Sequence, residues 1–373
     1  MGTKGDAIDP PTYASIGMSA PTRTAPVPAS LLLVAERVEA RLRSALDAEI
    51  ERWGALDDSL VSPLEDLRAF VLDGGKRLRP AFCHWGYVGA GGDGTDPRIV
   101  DVGAAFELLQ AFALIHDDVM DGSATRRGRP AVHVDYAERH DAESWRGESR
   151  RFGEGVAVLV GDLAHVYADR FVADLSDEVR SVWSELRVEL NVGQFLDMIG
   201  TARADTDLTR ARRIARYKSG KYTIERPLHV GAALAGRLVE LQAPLSAYGD
   251  PLGEAFQLRD DLLGAFGDEA RTGKPVGDDL REGKPTPLLA IASERARGDQ
   301  VALLSLVGSS ELTPDDIEAI QAVLVATGAV GEIEQTIDRL TTEAIASVEH
   351  APITPEARVV LIEMAEYVAW RDR

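Results

Sequence analysis

Cysteine is nearly absent: Cys83 is the only one in 373 residues. An intrachain disulfide is therefore excluded, which fits a reducing compartment, the cytoplasm. Cys83 sits among apolar neighbours and reads as core rather than as a nucleophile. No uninterrupted apolar run of about 18 residues occurs, so no transmembrane segment is expected. The N-terminus has no charged-then-apolar leader. Basic charge is also short, with 41 Lys and Arg against 61 Asp and Glu, a formal net charge of −20. That balance argues against a nucleic-acid partner. An anionic ligand would have to be met by local clusters of the few basic residues. Two-residue alternation is scarce, no repeat of about 20–50 residues is evident, and no His/Cys spacing suggests zinc. A G-x-x-x-x-G-K-[ST] loop is missing too, which disfavours a nucleotide phosphotransferase.

What is present is helical patterning. Residues 1–28, with Pro10, Pro11, Pro21, Pro26 and Pro28, read as a disordered lead-in. From Leu31 the apolar residues Val34, Val38, Leu42, Leu46 and Ile50 recur every four positions and close on Trp53. Ser62-Pro63-Leu64-Glu65 reads as a capping box opening a helix that stops at Asp73-Gly74-Gly75. Asp250-Pro251, Thr313-Pro314 and Thr354-Pro355 repeat that start signal. Val179, Val182, Leu186 and Leu190 form another stripe, and Ile333, Ile337, Leu340 and Ala344 a late one. Residues 138–154 read as a surface loop. The expectation is an all-α fold, one large helical domain over residues 29–373.

The chemistry concentrates in residues 111–133, AFALIHDDVMDGSATRRGRPAVH. An apolar run leads into Asp117, Asp118 and Asp121, then Gly122 and the basic Arg126, Arg127 and Arg129. On a helix, Asp117 and Asp121 stack one turn apart, in the last turn, where the macrodipole disfavours anions by roughly 0.3–1 kcal/mol each. Such an end calls for a cation. Carboxylate oxygens select a hard ion such as Mg2+, commonly shared with substrate phosphates. A second acidic cluster, Asp260 and Asp261 with Gln257 before them, lies in DPLGEAFQLRDDLLGAFGD. Two such helix ends facing across a bundle core would assemble a metal site. Basic residues gather at Gly74-Gly75-Lys76-Arg77-Leu78-Arg79-Pro80, at Lys218-Ser219-Gly220-Lys221, and around Lys274 and Lys284. The first is an anion site at a helix start. Asp278 and Asp279 could form local ion pairs with the last two lysines. His116 reads as a packing residue.

In these motifs the chain resembles the trans-isoprenyl diphosphate synthases, the head-to-tail prenyl chain elongators. GGKRLRP at 74–80 resembles the family's isopentenyl diphosphate loop, and LIHDDVMDGSATRRGRPAVH its first aspartate-rich motif. Gly161-Asp162, Gly193-Gln194 and Asp197 resemble helix signatures, and YKSGKYT the lysine-threonine motif with Ser219 in the threonine place. FQLRDD resembles the second aspartate-rich motif, and TGKPVGDDLREGKPT its trailing segment. Gln110 stands where the family often has histidine, and Gly264 where the second motif has its third aspartate.

The resemblance implies a helical bundle around a central apolar substrate tube, and a homodimer. It implies Mg2+ held by Asp117, Asp118, Asp121, Asp260 and Asp261 against an allylic diphosphate. Arg126, Lys218, Ser219, Gln257, Lys274 and Lys284 would add contacts. Gly75, Lys76, Arg79, Gln110 and Arg127 would hold isopentenyl diphosphate, and the released diphosphate would accept the proton. Phe112 and Ala113, five and four residues before Asp117, resemble the chain-length positions of short-chain geranylgeranyl diphosphate synthases. A C20 product is expected, with C15 or a longer chain next. A class I terpene cyclase and a non-catalytic subunit of a heteromeric synthase are the rival classes.

Overall fold

The computed structural model describes residues 25–267, 276–309 and 311–371. Most of the proline-rich lead-in, Asp268 and Lys274 lie outside the described residues. Helices dominate: α1 (Ala29–Gly54), α2 (Val61–Leu72), α3 (Leu78–Gly89), α4 (Pro97–Asp121), α5 (Val132–Ala142), α6 (Ser149–Val172) and α7 (Asp177–Ala202). Then come α8 (Leu208–Ile214), an eleven-residue π-helical stretch (Ala215–Glu225), α9 (Arg226–Leu234) and α10 (Leu238–Phe266). The chain closes with α11 (Asp278–Glu282), α12 (Pro287–Arg295), α13 (Asp299–Leu304), α14 (Pro314–Ala326), α15 (Ala329–Glu349) and α16 (Pro355–Trp370). Among the described residues the only strands are the two-residue β1 (Thr125–Arg126) and β2 (Arg129–Pro130), paired antiparallel.

The apolar stripes fall where periodicity puts them. Leu31, Val34, Val38, Leu42 and Leu46 are the buried face of α1, and Ile333, Ile337, Leu340 and Ala344 lie on the buried face of α15. Thr313 and Thr354 cap α14 and α16 with their side chains, Thr313 in a complete capping box. Three local expectations fail. Ser62 does not cap α2, which is already helical at Val61; its hydroxyl lies 3.5 Å from Asp66 and 3.3 Å from the Tyr136 hydroxyl. The side-chain cap sits earlier, where Asp57 accepts from the Ser59 amide at 2.8 Å. Pro251 does not start a helix but lies inside α10, as does Pro244. Burial of Leu252, Ala255 and Phe256 on that helix offsets the one backbone bond a proline removes. Residues 138–154 are mostly helix, because Tyr136, His140 and Gly153 bury the ends of α5 and α6 and leave only residues 143–148 between them.

Two apolar clusters share α10. Leu241, Leu245, Tyr248, Leu252 and Phe256 join the larger one with α1, α3, α4, α6, α7 and α16. Ala255, Leu258, Leu262 and Ala265 join the second with α12, α14 and α15. Cys83 is fully buried in the first, and burial pushes its thiol up, as a core residue requires. Helix α4 is long and apolar enough to cross a membrane, against expectation, with a mean hydropathy of 1.5 over its best window. That window is 61% buried inside the molecule, so its apolar surface is spent on the bundle core.

Candidate active site

Helix α4 carries Glu107, Gln110, Asp117 and Asp121 at helical spacing, with the apolar Leu114 between them. Its three aspartates are in the last turn, and cations meet them there. Asp117 accepts from Gln194 Nε2 at 2.7 Å and Lys218 Nζ at 3.0 Å. Lys218 also reaches Asp197 at 2.5 Å. Lys284 Nζ lies 3.2 Å from Asp121. Asp118, 1% exposed, turns aside and takes Arg126, whose Nε donates at 2.9 Å. Arg126 is offered by the small β1–β2 hairpin. Burial pushes the Asp117 carboxyl up, but Lys218, Lys284 and Arg126 outweigh it and hold it at about 2. Asp121 goes the other way, raised by burial and by the charge of Asp117.

The second cluster ends α10. Asp260 pairs with Arg371 from the C-terminus, whose guanidinium also donates to the carbonyls of Phe256 at 3.2 Å and Val368 at 2.6 Å. Burial raises the Asp260 carboxyl, and Arg371, Lys76 and Arg79 more than reverse it. Asp261 is 5% exposed. Gln257 donates to its Oδ1 at 2.7 Å, while its Oδ2 has no hydrogen-bond partner. Burial, then the charges of Asp279, Asp260 and Asp197, push this carboxyl well up against the Gln257 bond.

Both clusters line one cavity of about 300 Å³, with Asp117, Asp260, Asp261, Arg126, Lys218, Ser219, Gln257 and Lys284 in its wall. A larger cavity of about 1120 Å³ holds the basic loop: Gly75, Lys76, Arg79, Gln110 and Arg127 line it, and Lys76, Ser219 and Asp260 belong to both walls. Arg79 donates to the Thr223 hydroxyl at 2.8 Å and lies over the Tyr222 ring. Arg77 of the same loop turns inward to Glu107 and is 3% exposed, a structural pair. The π-helical stretch aims its lysines to different sides: Lys218 into the cavity, and Lys221 to Glu189 and Glu225 at 3.1 and 3.0 Å. Gly193 permits this arrangement, since a Cβ there would fall 2.6 Å from the Lys218 Cα.

Asp118 and Asp121 are outside the wall of the acidic cavity. Among the described residues, no three acidic or histidine side chains close round one point. Phe112 and Ala113 are in neither cavity wall; Phe112 is partly buried against the core, stacked on His165 with ring centroids 4.7 Å apart and edge-on to His116 at 4.7 Å. His116 is thus a packing residue, its Nε2 3.0 Å from the Val158 carbonyl. Sequence reasoning missed Arg371, which lies 111 positions from Asp260 and carries no local signal. It named Gln194 and Asp197 only as signatures; their contacts with Asp117 and Lys218 appear once α4, α7 and the π stretch meet.

The polyprenyl synthetase family profile matches residues 63–324. Geranylfarnesyl diphosphate synthase of Aeropyrum pernix is 31% identical over 308 residues, covering 80% of this chain and 91% of the relative. Geranylgeranyl diphosphate synthase of Mycobacterium tuberculosis is 32% identical over 304 residues, 80% of each chain. Among solved structures, geranylgeranyl pyrophosphate synthase of Corynebacterium glutamicum, complexed with isoprenyl diphosphate and magnesium, superposes with a TM-score of 0.87 at 39% identity. The match covers 91% of this chain and 99% of that one. With two acidic helix ends on one cavity and a basic loop on the next, the chain belongs to the polyprenyl synthetase family and is a trans-prenyl diphosphate synthase.

Proposed function

We propose that the chain condenses isopentenyl diphosphate head-to-tail with an allylic diphosphate, with Mg2+, to give geranylgeranyl diphosphate. The observation that carries this reading is the pair of adjoining cavities, one acidic and one basic, joined through Lys76, Ser219 and Asp260. Two diphosphates have two places to sit, which a cyclase acting on one substrate does not require.

The donors fit a hard divalent ion: the acidic cavity offers carboxylate oxygens, and the buried Asp261 Oδ2 lacks a hydrogen-bond partner. Asp117, Asp121, Asp260 and Asp261 would hold magnesium, with Asp118 fixing Arg126 behind them. Magnesium, when bound, supplies charge stabilisation for the departing diphosphate. Lys218, Lys284 and Arg126 contribute fixed positive charge where negative charge develops as the allylic carbon–oxygen bond ionises. Lys76, Arg79, Gln110 and Arg127 hold isopentenyl diphosphate so that its double bond faces the allylic carbon. Leu114 and Phe256 exclude water along the wall of the basic cavity.

For the short product the reading rests on Phe112, which packs with His116 and His165 between α4 and α6, on the helix that carries Asp117 but outside both cavity walls. These rings would floor the path of a growing chain. Incubating the protein with isopentenyl diphosphate, an allylic starter and Mg2+, then measuring product length, should give C20; Phe112→Ala should lengthen it. No elongated product from the purified chain, or an unchanged C20 from Phe112→Ala, contradicts the activity or the floor respectively.

A homodimer fits the same fold. Leu159 and Val166 on α6 and Val188, Val192 and Phe195 on α7 are exposed, Leu159 by 64% and Phe195 by 65%. Each set follows helical spacing, an apolar face that a second copy would cover. Sedimentation at micromolar concentration should give a dimer, and Phe195→Glu a monomer.

A further inference from the structure

Gly264 follows Asp260 by four residues on α10 and so lies on the same helix face. A Cβ built on it would fall 2.6 Å from the Cγ of Asp279, inside van der Waals contact. The carboxylate of Asp279, which comes from the first turn of α11, thus occupies the space a side chain at position 264 would fill. Asp279 lines the acidic cavity beside Asp260 and Asp261. On the same wall Asp261, 5% exposed, keeps an oxygen without a hydrogen-bond partner. A partnerless buried carboxylate oxygen is costly unless a cation meets it.

We propose that Asp279 is the third carboxylate of the second acidic cluster, delivered from α11 into the gap at Gly264, where it helps to hold a divalent cation. The inference rests on the magnesium-dependent reading above and deepens it. It makes Gly264 a requirement rather than a defect: the acid missing from α10 arrives from the segment after it, and glycine leaves room for it. Lys284, two residues beyond the end of α11, feels the charges of Asp279, Glu282, Asp121 and Asp117, so this segment brings both acidic and basic side chains to the cavity. The rival role for Asp279 is a plain ion pair with Lys284, and the two roles differ in what magnesium does.

The test is a calorimetric titration of Mg2+ into the full-length protein in the presence of a bisphosphonate, with no turnover required. Asp279→Asn keeps the shape and removes the charge; a melting curve without magnesium checks that it folds. The Mg2+ midpoint should rise at least about tenfold. Gly264→Asp, which crowds two carboxylates into one space, should raise it as well. The double variant Gly264→Asp with Asp279→Gly returns the acid to α10 and should recover most of the lost affinity. A wild-type midpoint in Asp279→Asn, with only its melting temperature changed, overturns the proposal in favour of the ion pair. A double variant no better than Gly264→Asp overturns the pairing of the two positions. If the wild-type protein itself binds the bisphosphonate without magnesium, the failure lies with the metal-dependent reading instead.

Discussion

The ends of α4 and α10 carry the same acidic side chains but are neutralised in different ways. At α4 each aspartate has a cation: Lys218 at Asp117, Arg126 at Asp118, Lys284 at Asp121. At α10 Arg371 serves Asp260, while Asp261 has, among the described residues, the amide of Gln257 and the like charges of Asp279, Asp260 and Asp197 nearby. The first end is closed electrostatically by the chain's own residues. Among the described residues the second keeps surplus negative charge, the feature expected of the half of a clamp that depends most on an added cation.

Identical substitutions should therefore act with opposite sign at the two ends. Asp118→Asn strands the buried Arg126 and should cost about 3–5 kcal/mol in a denaturant titration; a loss within error would show that the pair is dispensable. Asp117→Ala and Asp260→Ala should each lower kcat by about 100- to 1000-fold. Near-normal turnover in either would break the view that both ends act on one diphosphate.

Acid should weaken the fold more broadly. Burial lowers His84 and His229 to about 4, below the unfolded value near 6.5. The unfolded chain then binds more protons between those values, so stability falls as pH drops through that window. From pH 7 to 5 the loss should be about 2 kcal/mol for each histidine, read as a fall in the urea midpoint that His84→Gln reduces. Asp261→Asn is the smallest effect and the opposite of Asp118→Asn. Its carboxyl is raised in the fold, so its charge opposes folding at neutral pH, and the variant should gain about 1–2 kcal/mol. That gain should shrink as acid protonates Asp261 in the native protein.

Legibility from sequence followed the range of the interaction. The α1 stripe from Leu31 to Leu46 and the Thr313 and Thr354 caps depend on residues within a few positions, and they appear as the spacing predicts. Local signals misled where tertiary packing ruled: Asp250-Pro251 looks like a helix start, yet α10 continues because it is buried on several sides. The aspartates and lysines were visible as residue types. Which lysine meets which aspartate was not, since Lys218 and Asp117 are 101 positions apart. Arg371 and the fit of Asp279 against Gly264 depend wholly on how α10, α11 and α16 come together. Gln110 reached the basic cavity as expected, so the exchange of histidine for glutamine there leaves a donor in place without a charge.

A crystal structure with magnesium and a bisphosphonate tests the shared clamp most directly. Divalent ions should join the bisphosphonate to Asp117 on one side and to Asp260 or Asp261 on the other, with Lys218 turned to the phosphonate. A bisphosphonate held by Lys218 and Lys284 alone, with no ion at Asp260 or Asp261, would contradict it.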